Sequence, residues 1–229
     1  MTCVLCNIRQ QASVEHVPPR SFFERPYPDN LITVSACLEC NHGLHLDDDY
    51  VLAYLVSLDM PGASPTLNLV RERVKRGLHR PDFPYLRRRL QRAVEFDYGR
   101  DLMTGMRLAR IAIRSEPDRL TRWLKKQVRG LNYHITGQTL RRHTFMQLER
   151  THFRHTRPPQ FWDLWVKASD YALEGETGAI GDVFRYAYRE IKRSACASVL
   201  RLEYYGVFSW VALVYRPEFA PPQRVAFPF

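Results

Sequence analysis

Two Cys-x2-Cys pairs, Cys3 with Cys6 and Cys37 with Cys40, constrain this chain more than any other feature. Each pair delivers two thiolates from one tight turn, and two such pairs make the ligand set of a tetrahedral, structural Zn²⁺ site. A disulfide framework is the competing reading, but five cysteines in 229 residues are few for one. The loop between the pairs holds 30 residues, more than a simple zinc ribbon needs, so further structure should lie inside it. The fifth cysteine, Cys196, sits in an apolar, strand-like stretch and reads as core.

Inside and just beyond that loop the pattern predicts strand, loop, strand and helix. Val14 and Val17 suit a short strand broken by Pro18-Pro19, and residues 31–34 form a second β-prone run. Just after Cys40 the apolar positions Leu44, Val51, Leu52, Leu55 and Leu58 recur at helical spacing until Pro61.

The residues Glu15-His16-Val17-Pro18-Pro19, then Asn30-Leu31, then Cys37-Leu38-Glu39-Cys40-Asn41 carry a specific likeness. In order and spacing they resemble the ββα-metal core of the HNH endonucleases, over about residues 3–50, a fifth of the chain. The resemblance implies a treble-clef-like module that hydrolyses DNA phosphodiester bonds. By position, His16 corresponds to the general base, a role that imidazole suits because its pKa lies near neutrality. Glu15 corresponds to a ligand of the catalytic cation, its side chain converging with that of His16 on the scissile phosphate. Asn30 corresponds to the central asparagine that braces the loop carrying His16, and Asn41 to a second cation ligand. Oxygen ligands without thiolate suit Mg²⁺ or Mn²⁺ at that second site.

Several neighbours keep two readings. His45, four residues beyond Asn41, shares its helical face and either completes the cation site or is a helix-face histidine. His42 reads as a polar first-turn residue. Asp47, Asp48 and Asp49 read as a solvated helix face, with Asp48 able to approach the site. The family often has a lysine where this chain has Leu44, which puts one DNA contact in doubt.

Beyond Pro61 the pattern predicts helices from Ser64-Pro65 to Leu78, over residues 85–98, and from Ser115-Glu116-Pro117 to Gly130. The last carries Arg122, Lys125, Lys126 and Arg129 on one face, a candidate surface for nucleic-acid backbone or simply a solvated one. Residues 183–191, 198–205 and 207–215 alternate or run apolar, with Gly206 where a hairpin would turn, and predict an antiparallel sheet. Its aromatics read as core before they read as base-stacking platforms. The tail from Pro217 looks irregular.

Charge divides along the same line. Residues 1–60 hold three arginines and no lysine against eight acidic residues, a net of −5. Residues 61–229 hold 31 basic and 16 acidic residues, a net of +15. An acidic head on a basic body fits a cation site joined to a polyanion-binding surface, or an arginine-rich solvated face that binds nothing. The expected architecture is therefore α+β. A zinc-stapled ββα-metal module over residues 1–60 is followed by a basic α+β domain over 61–229, a helical region leading into an antiparallel sheet. The expected activity is metal-dependent DNA cleavage, in defence against foreign DNA. The alternative is a zinc-containing nucleic-acid-binding protein with an inactive centre. No apolar run is long enough for a transmembrane helix and no targeting peptide is visible, so the expected setting is cytoplasmic, with DNA as partner and no membrane.

Overall fold

A computed structural model describes residues 1–58, 62–78, 94–100, 107–113, 116–151, 159–192 and 194–219. The first two strands are β1 (Ser13–His16) and β2 (Thr33–Ala36), paired antiparallel with Ser13 opposite Ala36 and His16 opposite Thr33. Helix α1 (Leu38–Ser57) follows at once, with Cys37 as its N-cap and the Cys37 sulfur accepting from the Cys40 backbone N–H at 3.4 Å. The predicted order of strand, strand and helix is thus the observed one. The second half of α1, residues 50–56, is buried all round, which requires neighbours on every side.

Helix α2 (Pro65–Leu78) supplies one of them through buried Leu67 and Val70. Its Arg71 donates to the carbonyls of Val56 and Leu58 at 2.7 and 3.0 Å, satisfying acceptors that the end of α1 leaves open. Helix α3 (Pro117–Thr136) supplies another. It opens with Pro at its first turn and closes at Gly137 in the left-handed region, φ 68°. Its Gly130 lies against Val17, where a Cβ would stand 2.5 Å from a Val17 methyl carbon.

Between α2 and α3 runs the hairpin β3 (Val94–Arg100) and β4 (Arg107–Ile113), paired antiparallel. The helix predicted for residues 85–98 is therefore corrected over residues 94–98, which are strand. Its earlier part lies outside the described residues. Residues 94–98 alternate apolar and polar, so the period-two pattern overrides the four-residue spacing of Leu86, Leu90 and Val94.

The remaining strands form one five-stranded antiparallel sheet in the order β5-β9-β8-β7-β6. They are β5 (Met146–Arg150), β6 (Glu176–Ile180), β7 (Phe184–Glu190), β8 (Cys196–Tyr204) and β9 (Phe208–Tyr215), and helix α4 (Pro159–Leu173) covers one face. The turn between β8 and β9 places Tyr205 and Gly206 at φ 55° and 75°, the backbone that a tight hairpin demands. The other face meets α3 and the N-terminal hairpin. There Phe22 stacks on Trp123 at 5.4 Å, Trp123 meets Tyr204 at 5.1 Å, and Tyr204 meets Phe184 at 4.9 Å. Most of the sheet aromatics are core, as read: Phe184, Tyr204, Tyr205, Phe208 and Trp210 are all buried. Cys196 is half-buried at the start of β8. A single hydrophobic cluster runs from Cys3 to Val214, across the boundary expected near residue 60.

Candidate metal centre and the charged groups around it

The knuckle at the N-terminus is built locally. Asn7 donates its backbone N–H to the Cys3 carbonyl at 2.8 Å and adopts φ 53°, which turns the chain sharply after Cys6. Val4 then donates to Ser35 of the β2 strand at 2.9 Å, bringing the first thiol pair against the start of α1. The four sulfurs of Cys3, Cys6, Cys37 and Cys40 all lie within 4.8 Å of one another. Tetrahedral thiolates around zinc stand about 3.8 Å apart, given Zn–S bonds near 2.3 Å. These four cysteines could hold a metal ion such as zinc. The local electrostatics agree. Burial pushes up the Cys6 thiol, but backbone hydrogen bonds at Arg9 and Ile8 and its cysteine neighbours bring it down to about 7. Burial and the same crowd of sulfurs push Cys40 far up. Four thiols so close together cannot all ionise without a cation among them.

The residues expected around a catalytic cation are placed differently. The regular ladder of β1 and β2 sends alternate side chains to opposite faces. Glu15 goes inward and is buried, whereas Val14 is exposed and His16 half-exposed on the other face. The convergence of Glu15 and His16 is therefore corrected: unbroken pleating separates them. Glu15 instead meets a lysine. The ammonium of Lys126 lies 3.3 Å from one Glu15 oxygen and 2.6 and 2.8 Å from the two oxygens of Asp48. Lys126 is only 2% exposed, and the second Glu15 oxygen has no hydrogen-bond partner among the described residues. Burial pushes up both carboxyls, Asp48 to about 7, against the pull of Lys126.

Asn41 donates its side-chain amide to the Val14 carbonyl at 3.1 Å, tying the start of α1 to the strand that ends in His16. The Asn30 amide donates to the Ala179 carbonyl of β6 at 3.0 Å. His45 is exposed, with its Nδ1 3.0 Å from the His42 carbonyl. Burial lowers the pKa of His16, and the positive charge of Arg20 adds to the effect.

The basic face predicted on α3 is not one exposed face. Arg129 is buried and donates to the carbonyls of Leu140, Arg141 and Arg142, holding the loop after α3. Lys126 is buried as described, and Arg122 forms a two-point pair with Asp47 at 3.0 and 3.2 Å. Arg119, which the sequence reading did not single out, reaches the same Asp47 at 3.2 Å. Lys125 alone of the predicted four is partly exposed with no such partner among the described residues. The reading of Asp47 and Asp48 as a solvated face is corrected in the same way, because both are buried against α3. The signal for this was present as an acidic run in one segment and a basic helix in another.

No family model, curated protein or solved structure matches this chain. No described helix is long and apolar enough to cross a membrane.

Proposed function

We propose that this protein is a metal-dependent endonuclease of the HNH kind that hydrolyses DNA, with zinc on its four cysteines and a treble-clef-like N-terminal module. The observation that carries the reading is the Asn41 tie to Val14. It sets the start of a cysteine-anchored helix against the strand that ends in His16, in the order the motif requires. His16 would take the proton from an attacking water, and its lowered pKa keeps the imidazole neutral and able to do so at neutral pH. Asn41 uses its amide nitrogen on Val14, which leaves the amide oxygen as a ligand atom. A divalent cation held there, with His45 one helical turn on, would stabilise the negative charge that develops on the phosphate. The DNA partner, the cytoplasmic setting and a role in defence belong to the same proposal.

One observation favours a second reading, a nucleic-acid-binding protein whose centre is inactive: Glu15 is held by Lys126 on the face opposite His16. Plasmid cleavage with Mg²⁺, Mn²⁺ or EDTA, in wild type and His16→Ala, separates the two. Cleavage that needs the cation and vanishes in His16→Ala supports the nuclease. Binding without cleavage under every cation supports the second reading.

A further inference from the structure

The loop between β1 and β2 is fastened at several points, which sets where its two outward arginines stand. Phe22 and Phe23 are buried, and the Phe22 carbonyl accepts from the Tyr205 hydroxyl at 2.9 Å. From α2, Arg73 donates to the Phe23 carbonyl at 2.8 Å and also to that of Ser21, and pairs with Glu24 at 3.0 Å. Arg20 and Arg25 are exposed on this loop, and both turn onto Tyr27. The Arg20 guanidinium lies over the Tyr27 ring, 4.4 Å from its centroid, and that of Arg25 stands 5.5 Å from it. Arg25 also donates to the Tyr27 hydroxyl at 3.3 Å. One ring therefore holds two cationic heads in place.

The charge of these two arginines is not neutralised within the described fold. Of the eight carboxylates in residues 1–60, five are paired: Glu15 and Asp48 with Lys126, Asp47 with Arg119 and Arg122, Glu24 with Arg73, and Glu39 with Arg9. Arg20 and Arg25 have no carboxylate partner among the described residues. Even with exposed Asp29 counted, the loop and Arg73 together keep a net positive charge. Arg20 follows His16 by four residues, and its charge lowers the pKa of that imidazole, so the positive patch begins beside His16. Exposed guanidiniums, fixed in position and free of carboxylates, are the groups with which proteins hold a phosphate backbone.

We propose that Arg20 and Arg25, steadied by Tyr27, form a clamp for backbone phosphates of DNA beside His16. The inference deepens the endonuclease reading, on which it rests for the choice of DNA, by naming the residues that position the strand next to its centre. It also explains how a segment of net charge −5 can accept a polyanion, since its acidic groups are largely paired elsewhere. It is tested by fluorescence anisotropy of a labelled DNA duplex with the full chain, in EDTA so that nothing is cut, over a series of NaCl concentrations. Each phosphate contact releases counterions, so losing one should lower the slope of log affinity against log salt by about 0.9. Arg20→Gln and Arg25→Gln should each show that drop and weaken binding about five-fold at low salt, with both effects in the double variant. Arg20→Lys should keep the slope, because it keeps the charge. Arg185→Gln removes an exposed arginine of β7, its side chain 66% exposed, and should leave affinity and slope unchanged. All three positions are exposed, so the fold should tolerate the changes. Wild-type slopes in both glutamine variants, an equal drop in Arg185→Gln, or no duplex binding by the wild type would overturn the proposal. Binding is read without cleavage, so a clamp that works in a protein that never cuts would sink the nuclease reading alone.

Discussion

Helix α1 gathers two sets of groups that a protein interior does not tolerate unassisted, and it resolves them in opposite ways. At its first turn four thiols converge, with the Arg9 guanidinium hydrogen-bonded to Cys37 at their edge. Three turns on, Asp48 and Glu15 converge on the ammonium of Lys126, which α3 supplies. The first cluster could hold an ion from solution, whereas the second is neutralised by folding itself. Nearby, Arg119 and Arg122 do the same for Asp47. Part of the charge contrast between a −5 head and a +15 body is therefore used inside the molecule, where each half neutralises the other.

The largest expected effect tests the half that an outside ion could complete. Cys37→Ser should abolish metal binding and unfold the N-terminal module, since structural zinc contributes on the order of 10 kcal/mol of folding free energy. Elemental analysis should find about one zinc per wild-type chain and none in the variant. A zinc-free wild type with a cooperative thermal transition would show that the thiols hold no structural ion.

The self-neutralised half should respond to loss of Lys126. Lys126→Met strands two buried carboxylates and should cost about 3–5 kcal/mol in denaturant unfolding, whereas Lys125→Met should cost under about 0.5 kcal/mol. Combining Lys126→Met with Glu15→Gln and Asp48→Asn should recover part of the loss, because the uncompensated charge goes too. The same cluster sets a pH dependence. Burial raises Asp48 from 3.8 to about 7 in the fold, so the native state keeps a proton that the unfolded chain releases. That contribution is complete below about pH 4 and is lost as pH rises toward 7. Asp48→Asn should flatten this slope, and an unchanged slope would place its origin elsewhere.

A smaller effect tests how closely α3 must approach the hairpin. At Gly130 a new methyl would collide with Val17, a β-branched residue with little room to turn. Gly130→Ala should therefore destabilise by about 1–2 kcal/mol, overpacking outweighing the better helix propensity of alanine. A gain in stability would mean that α3 can withdraw from β1, and with it Lys126 from Glu15.

What was legible in the sequence follows how local each feature is. The four-cysteine cluster was readable because each pair is set by one turn. Helices α1, α2 and α3 and strands β7, β8 and β9 were readable because their apolar spacing is regular. Helix α4 was missed although Trp165, Ala168 and Ala172 already stand at helical spacing. Strands β5 and β6 are five residues each and too short for a distinct pattern. The cluster of Glu15, Asp48 and Lys126 was not legible for a deeper reason. Lys126 is 78 residues from Asp48 and 111 from Glu15, and helical spacing makes its face look the same whether it meets water or another helix.

The smallest expected stability effect separates two roles for one residue. The Asn30 amide bond to the Ala179 carbonyl is exposed, so water can replace it, and Asn30→Ala should cost under about 1 kcal/mol. The motif resemblance instead gives Asn30 the task of bracing His16. If it does so, Asn30→Ala should lower cleavage about as far as His16→Ala at a nearly unchanged melting temperature. If its only task is to tie the loop to β6, cleavage should fall little. The consequence would then appear as faster hydrogen exchange in the loop before β2, with the side of Glu15 unchanged.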